Sequence, residues 1–145
     1  MFYQLRQAEE KDVKSLQDFM KRAGVRTDGV EEIVDQFVLM EADEQQLVGC
    51  LGFEEIQDDN GLLRSLVVSD QLSQAHILSL FKSIQSIGKS KAIKKLYLIA
   101  NKQSSVDFLQ FIGFQPAESI PDEVSSHEHA RESLQKDGAT VMVLA

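Results

Sequence analysis

Six lysines and no acidic residue occupy the stretch from Gln71 to Val106: Lys82, Lys89, Lys91, Lys94, Lys95 and Lys102. The rest of the chain holds nine basic residues against 23 acidic, and the whole carries −8 at neutral pH. Such an asymmetry fits a face tuned to an anion of modest size, or equally a helix and strand flank with solvated lysines. The net acidity argues against nucleic acid as the main partner, because phosphate neutralisation needs clustered Lys and Arg. Arg64 can grip a carboxylate with its planar fork or pair with a neighbouring Glu. His127 and His129 stand two residues apart, which does not put them on one helix face, so metal binding is not expected without further ligands. Cys50 is the single cysteine. It excludes an internal disulfide and a Cys-rich zinc module, and a cytoplasmic setting is the corresponding expectation. Set among Val48, Leu51 and Phe53, it reads as a small packed hydrophobe.

The framework for these groups is read from periodicity. A chain of 145 residues with 43% hydrophobic and 26% charged residues fits one globular domain spanning 1–145. Neither a bilayer-length apolar run nor a basic-then-apolar leader is visible, so no membrane partner is expected. Residues 2–7 alternate as a strand. Val13, Leu16, Phe19, Met20 and Ala23 recur at helical spacing, with Gly24 as the stop. A short second helix is expected over 29–36. Runs at 37–41, 47–56 and 62–69 read as an antiparallel meander, with Asn60-Gly61 as a turn. A helix over 73–87 ends at Gly88, a buried strand covers 95–100, and a helix over 104–111 closes at Gly113. A short strand from 114, a polar and partly helical 119–138, and a terminal strand at 139–144 complete an α+β sandwich.

The order of these elements, with particular phrases inside it, resembles the GNAT superfamily of acyl-CoA-dependent N-acetyltransferases. Leu47-Val48-Gly49-Cys50-Leu51-Gly52-Phe53-Glu54 is similar to the family's third strand, and Leu63-Arg64-Ser65-Leu66-Val67-Val68 to its fourth. Phe108-Leu109-Gln110-Phe111-Ile112-Gly113-Phe114 is similar to its aromatic-rich helix ending in Gly-Phe. The segment Ile120-Pro121-Asp122-Glu123-Val124 resembles small members that acetylate amino acids, such as N-acetylglutamate synthase domains. The resemblance implies a mixed, mostly antiparallel sheet of six to seven strands, flanked by about four helices and splayed between the fourth and fifth strands.

It also implies acetyl-CoA as co-substrate and a small primary amine as acceptor. The pantetheine arm would pair with the backbone of Leu66, Val67 and Val68. The pyrophosphate would sit at the start of the next helix, with Ser73, Gln74, Ala75, His76, Ile77 and Leu78 as contacts and Asn101 after the fifth strand. Glu54 or Glu55 would be the base, alternation allowing one of them to point inward; Ser65 lies where the family often places a base, and Arg64 keeps its two readings, an acceptor carboxylate or a neighbouring Glu. His127 and His129 would be surface residues or a lid over the acceptor. Two features depart from the pattern. The family's Gly-x-Gly loop is replaced by Ser73-Gln74-Ala75-His76-Ile77-Leu78, without glycine, so that Cβ atoms narrow the cradle. Leu109 stands where many relatives carry a Tyr that protonates the leaving thiolate. The alternative implied by these losses is a non-catalytic GNAT-fold protein acting as a CoA sensor or interaction module. Relatives are often homodimers joined through their C-terminal strands; the sequence leaves this open.

Overall fold

A computed structural model describes residues 3–100, 103–117 and 140–144. Asn101, Lys102, the segment Ile120–Val124, His127 and His129 lie outside them, as does the expected structure over 119–138. Among the described residues, seven strands form one mixed sheet in the order β1-β2-β3-β4-β5-β7-β6, flanked by three α-helices. The chain divides into two compact units, one of residues 1–54 and 64–91, the other of 55–63 and 92–145.

In the first unit, β1 (Gln4–Gln7) and β3 (Leu47–Ile56) flank β2 (Phe37–Glu41), and both pairings are antiparallel. The α1 helix (Val13–Arg22) lays Leu16 and Met20, both fully buried, against Phe37, Leu39 and Cys50. Its end is a Schellman motif: the Gly24 N–H donates to Lys21 O at 3.0 Å, the Val25 N–H to Met20 O at 3.0 Å, and Gly24 takes φ 73°. Its entry is fixed electrostatically. The fork of Arg6 grips both oxygens of Asp12 at 2.7 Å and its Nε meets Glu41. The guanidinium holds the Asp12 carboxyl below the usual carboxylate range. On the opposite sheet face, α2 (Gln74–Ser90) buries Leu80, Phe81 and Ile84. A Cβ at Gly49 would stand 3.3 Å from Leu80. At Gly52 a Cβ would fall 2.6 Å from the buried ring of Phe37, so only glycine lets that ring lie flat on β3.

In the second unit, β5 (Lys95–Ala100) pairs with β7 (Thr140–Leu144) from Leu96↔Leu144 to Ala100↔Thr140. The short β6 (Gln115–Pro116) pairs with β7. Ile56, Leu62, Tyr97 and Val141 form its core. The α3 helix (Gln103–Phe111) ends as α1 does, with the Phe114 N–H on Leu109 O at 2.9 Å and Gly113 at φ 115°.

Four expectations need correction. In place of a helix over 29–36 there are two 3₁₀ turns, Val30–Glu32 and Val34–Gln36, broken where Ile33 turns to φ −125°. With that helix gone, three α-helices rather than about four flank the sheet among the described residues. The reversal before β4 (Asn60–Val68) is made by Asp58 and Asp59 at φ 64° and 61°, and Asn60-Gly61 opens the strand instead. Asp tolerates the left-handed region through its short polar side chain. Gly88 does not stop α2; it is buried inside the helix, which runs on to Ser90.

Candidate functional site

β4 changes character along its length. Its first residues pair in parallel with β5, from Asn60↔Lys95 to Leu62↔Tyr97, and the ladder carries no further pair. Ser65 then takes φ 62°, a left-handed residue in mid-strand. Such a residue breaks the pleat and re-aims the rest of the strand, at a cost of order 1–3 kcal/mol that the surroundings must hold in place. Here Cys50 does so: its Sγ donates to Ser65 O at 3.2 Å. Burial pushes this thiol up to about 12, against the pull of the Val67 N–H and the charge of Arg64, so it stays a protonated donor at neutral pH.

Beyond Ser65 the direction of each N–H is set by its neighbours. The Val67 N–H turns to Cys50 on β3, and the Ser69 N–H donates to Val48 O at 2.8 Å. Strand alternation therefore points the intervening Val68 N–H to the opposite edge, away from β3. Leu66 is 39% exposed on the same stretch.

Five residues, Ser69–Ser73, lead from this edge to α2. Ser73 caps the helix in an extended conformation, and its N–H donates to His76 Nδ1 at 3.0 Å. His76 is thereby committed to the cap, with its ring edge-on to Tyr3 at 4.7 Å. The N–H groups of His76 and Ile77 both close on Ser73 O. Those of Gln74 and Ala75, exposed residues on the first turn, have no acceptor within the helix. Within 73–78, Gln74 and Ala75 thus present two main-chain donors, whereas Ile77 and Leu78 have partly buried side chains. The described lysines do not gather there. Lys91 pairs with Asp35 at 2.7 Å and Lys94 meets Asp59 at 3.9 Å. Lys82 stands eight residues into α2, about 12 Å along the axis from its start.

Glu54, Arg64 and Ser65 come together, but with one another. The Arg64 side chain is 4% exposed and forms an ion pair with Glu54. Its Nε donates to Ser65 Oγ at 2.9 Å, and its terminal nitrogens donate to Asp28 O at 2.9 Å and Arg26 O at 3.1 Å. Of the two readings of Arg64, the structure shows the pairing with a neighbouring Glu. Of Glu54 and Glu55, the former is the half-buried member and the latter is exposed.

A cavity of about 530 Å³ adjoins the free part of β4. Val67, Val68, Ser69 and Gln71 form one wall, Gln46, Leu47 and Val48 another, and Ser15, Asp18, Phe19, Arg22 and Ala23 of α1 the third. The α1 wall carries no distinct signal in the sequence, because Asp18 and Arg22 look like the solvated face of an amphipathic helix. Nothing local in Leu63-Arg64-Ser65-Leu66 announces the left-handed Ser65 either; only its neighbours across the strand impose it.

No protein-family model matches the chain. It is 49% identical over 142 residues to YwlB of Bacillus subtilis (strain 168), covering 98% of this chain and 97% of that protein. Among solved structures it is similar to N-acetylglutamate synthase of Neisseria gonorrhoeae complexed with coenzyme A and N-acetyl-glutamate. That match has TM-score 0.75 at 19% identity and covers 99% of this chain, which spans 35% of the synthase chain. It is also similar to Rv2747 of Mycobacterium tuberculosis, solved in complex with CoA, at TM-score 0.75 and 16% identity over 98% of both chains. No helix among the described residues is long and apolar enough to cross a membrane. The chain therefore belongs to the family of Bacillus subtilis YwlB and has the GNAT fold.

Proposed function

We propose that the protein takes an acetyl group from acetyl-CoA and transfers it to a primary amine of a small molecule, by direct attack within a ternary complex. The observation that carries this reading is a β4 whose pairing with β5 ends at Leu62 and whose backbone turns left-handed at Ser65, one short loop ahead of a helix start. Strand alternation then turns the Val68 N–H outward, to the strand's edge. An amide-bearing arm can lie along that edge as an added strand. The Val68 N–H then aims at the thioester oxygen, where charge grows as the amine attacks. The Gln74 and Ala75 N–H groups and the helix dipole receive the pyrophosphate. They fit it without glycine because both residues are exposed on the first turn, where their Cβ atoms have solvent to point into. Acetyl-CoA supplies the activated acetyl group; as the N–C bond forms, the C–S bond breaks.

The chain's side chains take a positioning part. Arg64 engages Glu54 and Ser65 Oγ, so the amine's proton passes to solvent rather than to either group. Leu109 is 3% exposed and has no proton to give, so the leaving thiolate takes its proton from water. The cavity beside Val67 and Val68 gives an amine room to approach. The CoA complexes of the gonococcal synthase and Rv2747 support the cofactor, and the synthase's N-acetyl-glutamate supports an amine acceptor.

A second reading, a CoA-binding sensor without turnover, is favoured by Leu109 and by the glycine-free loop. One assay separates the two. Acetyl-CoA at a hundredfold excess over its dissociation constant stabilises a one-site protein by about 2.7 kcal/mol. We expect that thermal shift, together with free-thiol release on a panel of primary amines. A shift without thiol release on any amine selects the sensor. No shift at millimolar acetyl-CoA overturns both.

A further inference from the structure

The α1 wall of the cavity beside Val67 and Val68 is one helical stripe: Ser15, Asp18, Phe19, Arg22 and Ala23. Among the described residues it carries the cavity's only charged side chains, one acidic and one basic, and the β3 and β4 walls bring none. The volume of about 530 Å³ lies within the usual range of small-ligand sites, about 300–1,000 Å³. Asp18 and Arg22 stand in the order and at the spacing that commonly pair on a helix surface. Here they do not pair. Among the described residues the Asp18 carboxylate has no hydrogen bond or ion pair, and Arg22 donates only its Nε, to the main-chain oxygen of Asp18 at 3.4 Å. The other described arginines, Arg6, Arg26 and Arg64, are each tied to a carboxylate. Two opposite charges on one wall, each without a counter-charge of its own, are complementary to a ligand that carries both signs.

We propose that Asp18 and Arg22 choose the acceptor by charge: it is a primary amine that also carries one anionic group. The inference rests on the acetyltransferase reading and names the acceptor class for that same cavity. The Arg22 fork takes the anionic group, carboxylate or sulfonate, in a planar two-bond contact. Asp18 draws in the ammonium form and repels a second anion, so a doubly acidic amine is disfavoured. Arg22 disfavours a second amine in the same way. The two residues are one turn apart, about 6 Å along the axis, a distance that a short chain between amine and anion can span. Both are exposed, so solvent is at hand to take the amine's proton.

The test measures thiol release from acetyl-CoA on amines that differ in charge. Propylamine carries no further charge, 1,3-diaminopropane a second amine, and β-alanine and 2-aminoethanesulfonate one anionic group each. Glutamine and glutamate differ by a single carboxylate. Wild-type kcat/KM is expected to be about tenfold higher or more for the one-anion probes than for propylamine or the diamine, and likewise for glutamine over glutamate. The better of β-alanine and 2-aminoethanesulfonate tells carboxylate from sulfonate. Arg22→Gln should cut the preference for one-anion amines over propylamine about tenfold, and Asp18→Asn should bring glutamate to within about twofold of glutamine. Because ratios between probes are compared, any loss of folded protein cancels. Lys21→Gln removes the same charge from an exposed residue outside the lining and should keep the wild-type ratios. A wild type indifferent to the anionic group, or one that prefers the diamine, overturns the inference. So does an Arg22→Gln that keeps the wild-type preference or is matched by Lys21→Gln, and an Asp18→Asn that still rejects glutamate. Acetyl-CoA bound without thiol release on any amine is instead the failure of the acetyltransferase reading, and takes this inference with it.

Discussion

Val68→Pro is expected to leave the protein folded and to remove most of its acetyl transfer. Proline deletes one N–H and fixes φ near −65°, which a sheet tolerates only at an edge. The Val68 N–H is the outward one, set between the inward N–H groups of Val67 and Ser69, so β3 loses no bond. If that N–H steadies the oxygen of the tetrahedral intermediate, its loss should lower kcat by about 10²–10³, or roughly 2.7–4 kcal/mol. The thermal midpoint should fall only slightly. Ser69→Pro is the opposing control: it breaks the 2.8 Å bond to Val48 O and should destabilise by about 1–3 kcal/mol. Steady-state thiol release and a thermal melt on both variants check the pair. Equal losses of stability would mean that Val68 is bonded within the sheet and not offered to a ligand.

Ala75→Asp should move stability and binding in opposite directions. A carboxylate on the first turn of α2 favours the helix dipole by about 0.3–1 kcal/mol, so the folded protein should gain slightly. The same carboxylate lies where the pyrophosphate is placed. Like charges about 5 Å apart at an effective dielectric near 20 repel by roughly 3 kcal/mol. Acetyl-CoA affinity should therefore fall by about a hundredfold or more. Ala75→Lys should tighten binding and steepen its dependence on salt. Calorimetric titration and urea unfolding of each variant read the two effects apart. Undiminished affinity in Ala75→Asp would remove the pyrophosphate from this helix start.

The parts of the fold that are legible in the sequence are those written in local chemistry. Gly24 and Gly113 mark the ends of α1 and α3 because a left-handed C′ position wants glycine, and both ends close as Schellman motifs. The limits of β2 and β3 match apolar runs bounded by polar residues. Misreadings arise where a local rule has two solutions. Asn60-Gly61 favours a turn, yet Asp58 and Asp59 turn first and Gly61 is consumed by pairing with Leu96. Gly88 ends a helix on propensity, but as a buried residue of α2 it continues one.

The site is less legible than the fold because its key features are tertiary. Ser65 has no left-handed preference of its own; the Cys50 thiol on Ser65 O and the Arg64 fork on Ser65 Oγ hold it there. Arg64 has two plausible partners in the sequence, and only the fold brings the Arg26 and Asp28 carbonyls to the guanidinium. The lysine-rich window suggests anion binding, yet Lys91 finds Asp35, 56 residues away, and Lys94 finds Asp59. A charge count along the chain cannot see such partners. The anion site proposed above uses two main-chain N–H groups instead, which composition never reports.

The most direct test tracks single amides of β4 by hydrogen exchange, with and without saturating acetyl-CoA. The Val68 amide should slow by about tenfold or more when ligand is added, while the Val67 amide, already turned to Cys50, keeps its rate. A Val68 amide that exchanges as fast in the complex as in the free protein would contradict the account.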